Sequence, residues 1–445
     1  MSFVQPTDLV RDDPTAGVFR VHRSSFTSQE VLDLEMERIF ERCWLYVGHE
    51  SEIERRGDFV RRTIARRPVI FLRGSDGEGR VLFNSCRHRG AAVCRAASGN
   101  AKAFSCFYHG WTYDTTGRLI NVPDESPYGP CFDKSELGLT SPPRVQSYRG
   151  FYFMSLNPDA EELPAYLAGA REYIDRLADQ SQAGLRIVPG GYRYGTKANW
   201  KLMMENFSDT YHFETLHRTY LKFLSSQAGD NRKEWDEYNR VAVFGRRKAY
   251  DLDNGHAAIE FGYPTNGRII AVWHPAFGPA ARPGVEAARS RLVERFGEER
   301  AAAIADNSVS VIVYPNLILL DIVASILMQV WPVTPGYIEV DNWAIGPRDE
   351  TPEMLARRIE QFELFVGSAG FGAPDDMEAV ESCQEGYAAS AGQWSDISRG
   401  FHPQSSGDSE ANLRAMWREW VANLASETHG AHDEARKPGV GAAAR

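Results

Sequence analysis

The chain has few cysteines and no long apolar run. Six cysteines occur among 445 residues, too few for the disulfide framework of a small secreted protein. No stretch approaches the roughly eighteen apolar residues of a membrane-spanning helix, and the start, residues 1–5, lacks the basic and apolar regions of a signal peptide. An excess of positive charge is absent too: the net charge is -10, which disfavours binding to nucleic acid. We therefore expect a cytoplasmic protein with no membrane and no nucleic-acid partner.

Length and composition predict a globular protein with more than one domain. Hydrophobic residues make up 43% of the chain and charged residues 25%, which is typical of folded proteins. At about 150 residues per domain, a chain of this length predicts two or three domains.

The scarce cysteines form a pattern with histidines. Cys86 precedes His88 by two residues, Cys106 precedes His109 by three, and seventeen residues separate the two pairs. Each pair is short enough for one tight loop. Two cysteines on one iron and two histidines on the other are the ligands of a Rieske [2Fe-2S] centre. The spacing therefore predicts a Rieske cluster held by these four side chains.

Two other interpretations of the four residues are weaker. A structural zinc site uses the same side chains, but zinc motifs usually pair Cys with Cys and His with His along the sequence. Unrelated core residues have no reason to place four scarce side chains in two short Cys-His pairs.

The pattern of apolar residues predicts an α+β fold. Residues 1–43 are expected to pack on the larger domain, and their first helix should begin at a capping box of Thr27 and Glu30. Residues 44–155 predict a small antiparallel β domain with the cluster at its tip, residues 156–425 a larger domain with an antiparallel sheet flanked by helices, and residues 426–445 a mobile tail. In the larger domain we expect strands at about 191–200, 267–274, 308–321, 324–332 and 337–346, and helices at about 201–217, 285–305, 352–367, 375–392 and 409–425.

A second group of ligands follows the first strand of the larger domain. Asp209, His212 and His217 form an Asp-x-x-His-x-x-x-x-His motif. Two imidazoles and a carboxylate with open positions are the ligands of a mononuclear non-haem Fe(II) oxygenase. On a continuous helix Glu205, Asp209 and His212 would share one face. His217 would not, so we expect an irregular or π-type turn at about 213–216 to bring it to the same metal.

An ordinary helix with satisfied histidines is the competing interpretation, and for an isolated pair it would be the better one. The upstream cluster reverses that preference, because an electron entering there needs a site at which to react. The third ligand should be an acid. We choose Asp376, with Asp375 as runner-up, although carboxylates at a helix start are also ordinary. Asp209 is better suited as the hydrogen-bond partner of an imidazole.

Taken together, these motifs make the chain resemble the large α subunit of a Rieske non-haem iron aromatic ring-hydroxylating oxygenase. Within that family it is most similar to the benzoate, anthranilate and p-cumate dioxygenase group. The stretches that carry the resemblance are residues 37–40, 43–51, 88–91, 155–158, 199–202 and 373–376.

The resemblance implies the roles of the site residues. It assigns the cluster to Cys86, His88, Cys106 and His109, and the catalytic iron to His212, His217 and Asp376. It makes Asp209 a bridge between a cluster histidine of one subunit and an iron-bound histidine of its neighbour, and it places Asn206 near the iron.

The resemblance also implies partners and a reaction. These are a trimeric ring of α subunits, a small β subunit that not every member has, and a reductase that passes electrons from NADH, with or without a ferredoxin. The expected reaction is cis-dihydroxylation of an aromatic carboxylate with dioxygen. A Rieske monooxygenase or O-demethylase is the alternative. A Rieske electron carrier and a zinc-stabilised binding protein are rivals from other classes.

Overall fold

A computed structural model describes residues 5–209, 211–227, 247–262, 270–273, 279–389, 393–402, 404 and 409–426. These residues form an α+β fold built on antiparallel sheets, as the sequence predicts. Residues 427–445 of the predicted tail lie outside the described residues, as do positions 267–269 and 274 of one predicted strand. The rest of that segment, 270–273, is not a strand.

The N-terminal segment pairs with a distant part of the chain. Strand β2 pairs with β1 on one side and with residues Trp394–Asp396 on the other, where Arg20 lies opposite Asp396. Its elements are β1 (Val10–Asp13), β2 (Val18–His22), α1 (Ser24–Thr27), α2 (Gln29–Glu35) and a π-helical turn (Met36–Phe40).

The predicted capping box is wrong by one residue. The residue at the N-cap of α2 is Ser28, whose hydroxyl accepts a hydrogen bond from the N–H of Val31 at 3.3 Å. Thr27 ends α1 instead, and its hydroxyl donates to the carbonyl of Arg23. Either hydroxyl could have served, because the two residues are neighbours and both side chains favour this position.

Three small antiparallel sheets follow, in the strand orders β6-β5-β4-β7, β10-β9-β8 and β11-β12-β3. The strands are β3 (Leu45–His49), β4 (Asp58–Ile64), β5 (Arg67–Arg73), β6 (Gly79–Phe83), β7 (Ser98–Asn100), β8 (Ala103–Ser105), β9 (Thr112–Asp114), β10 (Leu119–Asn121), β11 (Arg144–Tyr148) and β12 (Phe151–Ser155). Cys86 and Cys106 lie in a separate small core of this region. Trp44 and Phe153 of β12 belong instead to the main core, which also contains residues of the large sheet. The part of the small β domain around these two residues is therefore packed on the larger domain.

A large antiparallel sheet forms the rest. Its described strands run in the order β13-β20-β19-β18-β17-β16-β15, and β14 also pairs with β20. They are β13 (Leu185–Ile187), β14 (Tyr192–Thr196), β15 (Lys248–Asp251), β16 (Ala257–Glu260), β17 (Val309–Val313), β18 (Leu317–Asp321), β19 (Ser325–Thr334) and β20 (Tyr337–Pro347). The segment that pairs with β2, Trp394–Asp396, is β21 and is not part of this sheet. The helices are α3 (Leu163–Leu167), α4 (Ala170–Ala178), α5 (Trp200–Ser208), α6 (Phe213–Leu216), α7 (Arg218–Gln227), α8 (Arg282–Ala305), α9 (Pro352–Val366), α10 (Ala373–Gly386) and α11 (Ala411–Ala425).

Two predicted elements are divided in the structure. The strand predicted at 308–321 is a hairpin, β17 and β18, with Val313 opposite Leu317. Its turn contains Pro315, which cannot donate a backbone hydrogen bond within a ladder. The helix predicted at 201–217 ends at Ser208, and α6 begins only at Phe213. Among the described helices, none is both long and apolar enough to cross a membrane.

Candidate metal centres

The two Cys-His loops have the same backbone hydrogen bonds. In the first, between β6 and β7, the N–H of Cys86 donates to Ala91 O at 2.8 Å and the N–H of Gly90 donates back to Cys86 O at 2.8 Å. The second, between β8 and β9, repeats this: Cys106 N–H donates to Trp111 O and Gly110 N–H to Cys106 O, at 2.8 and 2.9 Å. Gly90 and Gly110 have φ of 77° and 72°, which glycine adopts without strain.

The loops bring their side chains together. The rings of His88 and His109 have centroids 4.5 Å apart, and His88 stacks on Trp111 at 5.0 Å. Cys86 and Cys106 are buried. Burial and the neighbouring charges of His88 and Arg89 lower the pKa of His109. A low pKa favours the neutral imidazole that a metal needs.

The structure fits a two-iron cluster better than one zinc ion. The Nδ1 atom of His88 is buried without a hydrogen-bond partner, as a nitrogen kept for a metal would be. Tetrahedral zinc would hold its ligand atoms within about 4 Å of one another. Among the described residues, a set of three or more such atoms within 4.8 Å occurs only at His212, His217 and Asp376, so the Cys-His set does not have the compact arrangement that one zinc ion needs. Tyr113 lies beneath it, with its hydroxyl 3.2 Å from Cys86 Sγ.

The second centre lies where α5 ends. The Nε2 atoms of His212 and His217 are 3.6 and 3.1 Å from one oxygen, Oδ1 of Asp376 at the start of α10. His217 and Asp376 are buried, and His212 is half-buried. Two imidazoles and one carboxylate that face a common point are the ligand set of non-haem Fe(II) oxygenases. The residues present therefore fit an iron ion.

A second carboxylate stands behind each imidazole. Oδ2 of Asp209 is 3.3 Å from Nδ1 of His212, and Oδ2 of Asp375 is 3.5 Å from Nδ1 of His217. Burial lowers the pKa of His217, but the Asp376 and Asp375 carboxylates together raise it more, so that it stands above the ordinary value. Carboxylates in this position orient a histidine and fix which ring nitrogen faces the metal. The neighbouring acids thus occupy different positions, Asp376 between the imidazoles and Asp375 behind one of them.

The path of the chain through the site differs from the expectation. Glu205, Asp209 and His212 do not share a helical face, because α5 ends before Asp209. No π-type turn occurs at 213–216, where α6 is an ordinary helical turn. The irregularity falls instead at His217, whose φ of -89° and ψ of 31° leave the helical region before α7 begins.

Distant residues hold α5 in place. At its start, the Asn199 side chain accepts from Lys201 N–H at 3.1 Å and donates to Pro335 O at 2.8 Å. At its end, the Asn412 amide of α11 donates to the carbonyl of Ser208. At the second residue of the helix, the Lys201 ammonium pairs with the fully buried carboxylate of Glu35 in α2. The helix that leads into the site is therefore tied to both ends of the chain.

Two polar side chains near the end of α5 have different partners. Asn206 donates from Nδ2 to Oδ1 of Asp376 at 3.2 Å. Glu205 accepts a hydrogen bond from Nε1 of Trp417 at 2.7 Å. Burial, with a smaller contribution from nearby Glu410, raises the pKa of Glu205 to about 8. The sequence did not single out Trp417 or the burial of Glu205. The apolar periodicity of α11 was a signal for a buried helix but not for its partner.

The sequence matches two protein families in the same order as the two centres. Residues 43–149 match the Rieske [2Fe-2S] domain, and residues 168–426 match the ring hydroxylating alpha subunit (catalytic domain). The second match covers more than half of the chain.

Curated relatives and solved structures agree with these matches. The anthranilate 1,2-dioxygenase large subunit of Acinetobacter baylyi is 37% identical over 399 residues, which is 89% of this chain and 83% of that protein. The 2-halobenzoate 1,2-dioxygenase large subunit of Burkholderia cepacia is 35% identical over 401 residues, which is 88% of this chain and 83% of the relative. Naphthalene 1,2-dioxygenase from Rhodococcus sp., solved with indole bound, superimposes with a TM-score of 0.77 at 29% identity, covering 92% of this chain and 95% of that one.

These findings confirm the expected fold class, the enzyme class, and the pairing of a Rieske cluster with a non-haem iron domain. The two geometric centres lie within the two matched ranges, one in each. The chain belongs to the Rieske-type aromatic ring-hydroxylating dioxygenase family, as an α subunit.

Proposed function

We propose that this chain is the terminal oxygenase that adds dioxygen to the ring of an aromatic carboxylate to give a cis-dihydrodiol. The observation that carries the proposal is the convergence of His212, His217 and Asp376 on one point, in a chain that also has the two Cys-His loops. The names of the relatives support the substrate class, since anthranilate and 2-halobenzoate are aromatic carboxylates.

We infer the roles of the ligands from this geometry. Cys86, His88, Cys106 and His109 would hold the [2Fe-2S] cluster, and His212, His217 and Asp376 would hold the catalytic iron. An electron-transfer protein without substrate chemistry would have no use for the second set. Bound there, iron supplies open coordination positions at which dioxygen can react.

The chain's own residues orient those ligands. Nδ1 of His212 lies 3.3 Å from Asp209 and Nδ1 of His217 lies 3.5 Å from Asp375, although neither contact reaches hydrogen-bond geometry. With a metal bound, each Nδ1–H would donate to its carboxylate, so that both Nε2 atoms stay unprotonated toward the metal. Asn206 holds Oδ1 of Asp376 by its amide. Asp209 keeps about a fifth of its side chain exposed, and we propose that it bridges to a cluster histidine of a neighbouring subunit.

Exposed aromatic side chains support an assembly of this kind. Phe107 and Tyr108, on the loop that carries Cys106, are 65% and 50% exposed, and Tyr211 beside Asp209 is 50% exposed. Large exposed aromatics are typical of protein interfaces. We propose a trimeric ring of α subunits with a small β subunit, and a reductase, with or without a ferredoxin, that passes electrons from NADH.

We also propose the domain division that the sequence predicts. It consists of an N-terminal segment at 1–43, a Rieske domain at 44–155, a catalytic domain at 156–425 and a tail at 426–445. The pairing of β2 with β21 supports placing the first segment on the catalytic domain.

A single turnover tests the proposed reaction. The reduced, iron-loaded protein is mixed with dioxygen and, in turn, with benzoate, anthranilate and p-cumate, and products are identified by mass spectrometry. A product with two more oxygens and two more hydrogens than one of the acids is expected. Gain of one oxygen or loss of a methyl group would instead indicate a monooxygenase or demethylase, and absence of product from every acid would contradict the substrate class.

A further inference from the structure

A buried amide without partners lies on the iron-facing side of the large sheet. Asn342 of β20 is fully buried, and neither its Nδ2 nor its Oδ1 has a hydrogen-bond partner. Leaving such a group unpaired is costly. Groups of this kind in a native protein call for a water, an ion or a ligand as partner.

The neighbours of Asn342 show which way it faces. Tyr192 and Met328 lie directly opposite it on the two flanking strands, so the three side chains share one face of the sheet. The ring of Tyr192 stacks on Phe362 of α9 with a centroid distance of 5.5 Å. That face is therefore covered by α9, the helix that precedes α10 and its Asp376.

The same layer continues to the proposed iron ligands. Three residues beyond Phe362, the ring of Phe365 lies 6.2 Å from the ring of His217. Tyr194 lies two residues after Tyr192 and points to the same face. Burial raises the pKa of Tyr194, the charge of Asp376 raises it further, and the Asn342 side chain opposes both. The Tyr194 hydroxyl thus interacts electrostatically with Asp376 and lies beside the Asn342 amide, although its contact with the amide falls short of hydrogen-bond geometry.

Three buried cations of the larger domain already have acidic partners. Lys201 pairs with Glu35, and Arg358 with Glu350, and all four of these side chains are at most 1% exposed. Arg247, whose side chain is 7% exposed, lies 3.5 Å from Glu214. A carboxylate entering this layer would still need a donor, because a buried unpaired carboxylate is costly.

We propose that the Asn342 side-chain amide binds the carboxylate of the aromatic substrate. This inference rests on the proposed function, because it needs an aromatic acid as substrate. Nδ2–H donates to the carboxylate, and Oδ1 is left to accept from the Tyr194 hydroxyl once the site is filled. Asn342 is then a specificity-determining residue: it holds the acid while the ring faces the iron.

Binding to the holoenzyme tests the inference. The reduced, iron-loaded enzyme is kept without dioxygen, and the Kd of benzoate and of toluene, its neutral counterpart, is measured by equilibrium dialysis. A hydrogen bond to a charged group is worth about 1.5–3 kcal/mol, which is roughly a 10- to 100-fold change in Kd. Asn342→Leu should weaken benzoate binding by that factor and leave toluene binding within about threefold of the wild type. Asn342→Ala, which cannot clash with its neighbours, should give at least a tenfold loss for benzoate alone.

A control and a stability measurement separate binding from structure. Thr196→Val removes a different buried polar group without a partner, a hydroxyl, from the same sheet. This change should alter neither the Kd of benzoate nor that of toluene. Because Asn342→Leu removes an unpaired amide, the ligand-free variant should melt at the same temperature as the wild type or higher. A structural role predicts a lower melting temperature instead.

The outcomes distinguish the inference from the proposed function. Unchanged benzoate affinity in the Asn342 variants, or equal losses for benzoate and toluene, would overturn the role of Asn342. If the wild type binds benzoate, anthranilate and p-cumate no better than toluene, the proposed substrate class fails and this inference falls with it.

Discussion

Replacing the two adjacent acids one at a time should have unequal effects on iron. Oδ1 of Asp376 lies between the two imidazoles, and its side chain is 3% exposed. Asp375 faces only the outer nitrogen of His217 at 3.5 Å, and its side chain is 38% exposed. Asp376→Ala therefore removes a proposed ligand, whereas Asp375→Ala removes a proposed orienting contact.

The expected magnitudes follow from those positions. Loss of a carboxylate that orients a metal-bound histidine costs about 10- to 100-fold in metal affinity, which is roughly 1.4–2.8 kcal/mol. Solvent exposure of Asp375 places the expected effect at the lower end of that range. Asp376→Ala removes a direct ligand and should exceed it, so that the catalytic iron is lost on dialysis.

The assay counts iron per chain by elemental analysis after dialysis, with the visible spectrum of the Rieske cluster as an internal control for folding. The wild type and Asp375→Ala should retain three irons per chain when reloaded with excess iron, two of them in the cluster. Asp376→Ala should retain about two. Retention of the third iron in Asp376→Ala, with its loss in Asp375→Ala, would refute the assignment and exchange the two roles.

Three further predictions concern buried groups. Burial raises the pKa of Glu205 to about 8 from an ordinary 4.5, so the folded chain keeps a proton that the unfolded chain releases. The free energy of unfolding therefore falls as pH rises from about 5 to about 8. In Glu205→Gln the melting temperature should depend less steeply on pH in that window, and an equal slope would contradict the raised pKa. The Tyr113 hydroxyl lies 3.2 Å from Cys86 Sγ. Tyr113→Phe should therefore lower the reduction potential of the cluster, by roughly 40 mV for each 1 kcal/mol of lost stabilisation of the reduced form. Protein-film voltammetry that shows no shift would be evidence against a hydrogen bond from Tyr113 to a cluster ligand. Glu35→Gln leaves the Lys201 ammonium buried without a counter-charge and should lower the free energy of unfolding by about 3–5 kcal/mol. Adding Lys201→Met should restore part of that loss, as measured by chemical denaturation. No recovery in the double variant would show that the two groups are not coupled.

The sequence was informative wherever the necessary residues were close together along the chain. Each Cys-His pair lies on one short loop, and the structure brings His88 and His109 to within 4.5 Å of each other between ring centroids. The apolar pattern likewise predicted β14, β19 and β20 and the segment of β17 and β18, which it predicted as one strand, but it missed β13, β15 and β16.

Contacts between distant residues account for what the sequence could not show. Helix α5 ends at Ser208, whose carbonyl accepts a hydrogen bond from the side-chain amide of Asn412, 204 residues away. Helical periodicity alone gives no sign of this partner. The choice between Asp375 and Asp376 was open for the same reason, since adjacent helical residues point about 100° apart and only the packing of α10 decides which one meets the imidazoles.

The most direct test of the central claim is a single turnover under ¹⁸O₂ with the aromatic acid that the panel identifies. We predict a cis-dihydrodiol in which both added oxygen atoms are labelled, formed by the wild type and abolished in His212→Ala while the cluster spectrum is unchanged. Only one labelled atom, with the second oxygen taken from unlabelled water, or an equal yield from His212→Ala would contradict a dioxygenase whose iron is held by His212, His217 and Asp376.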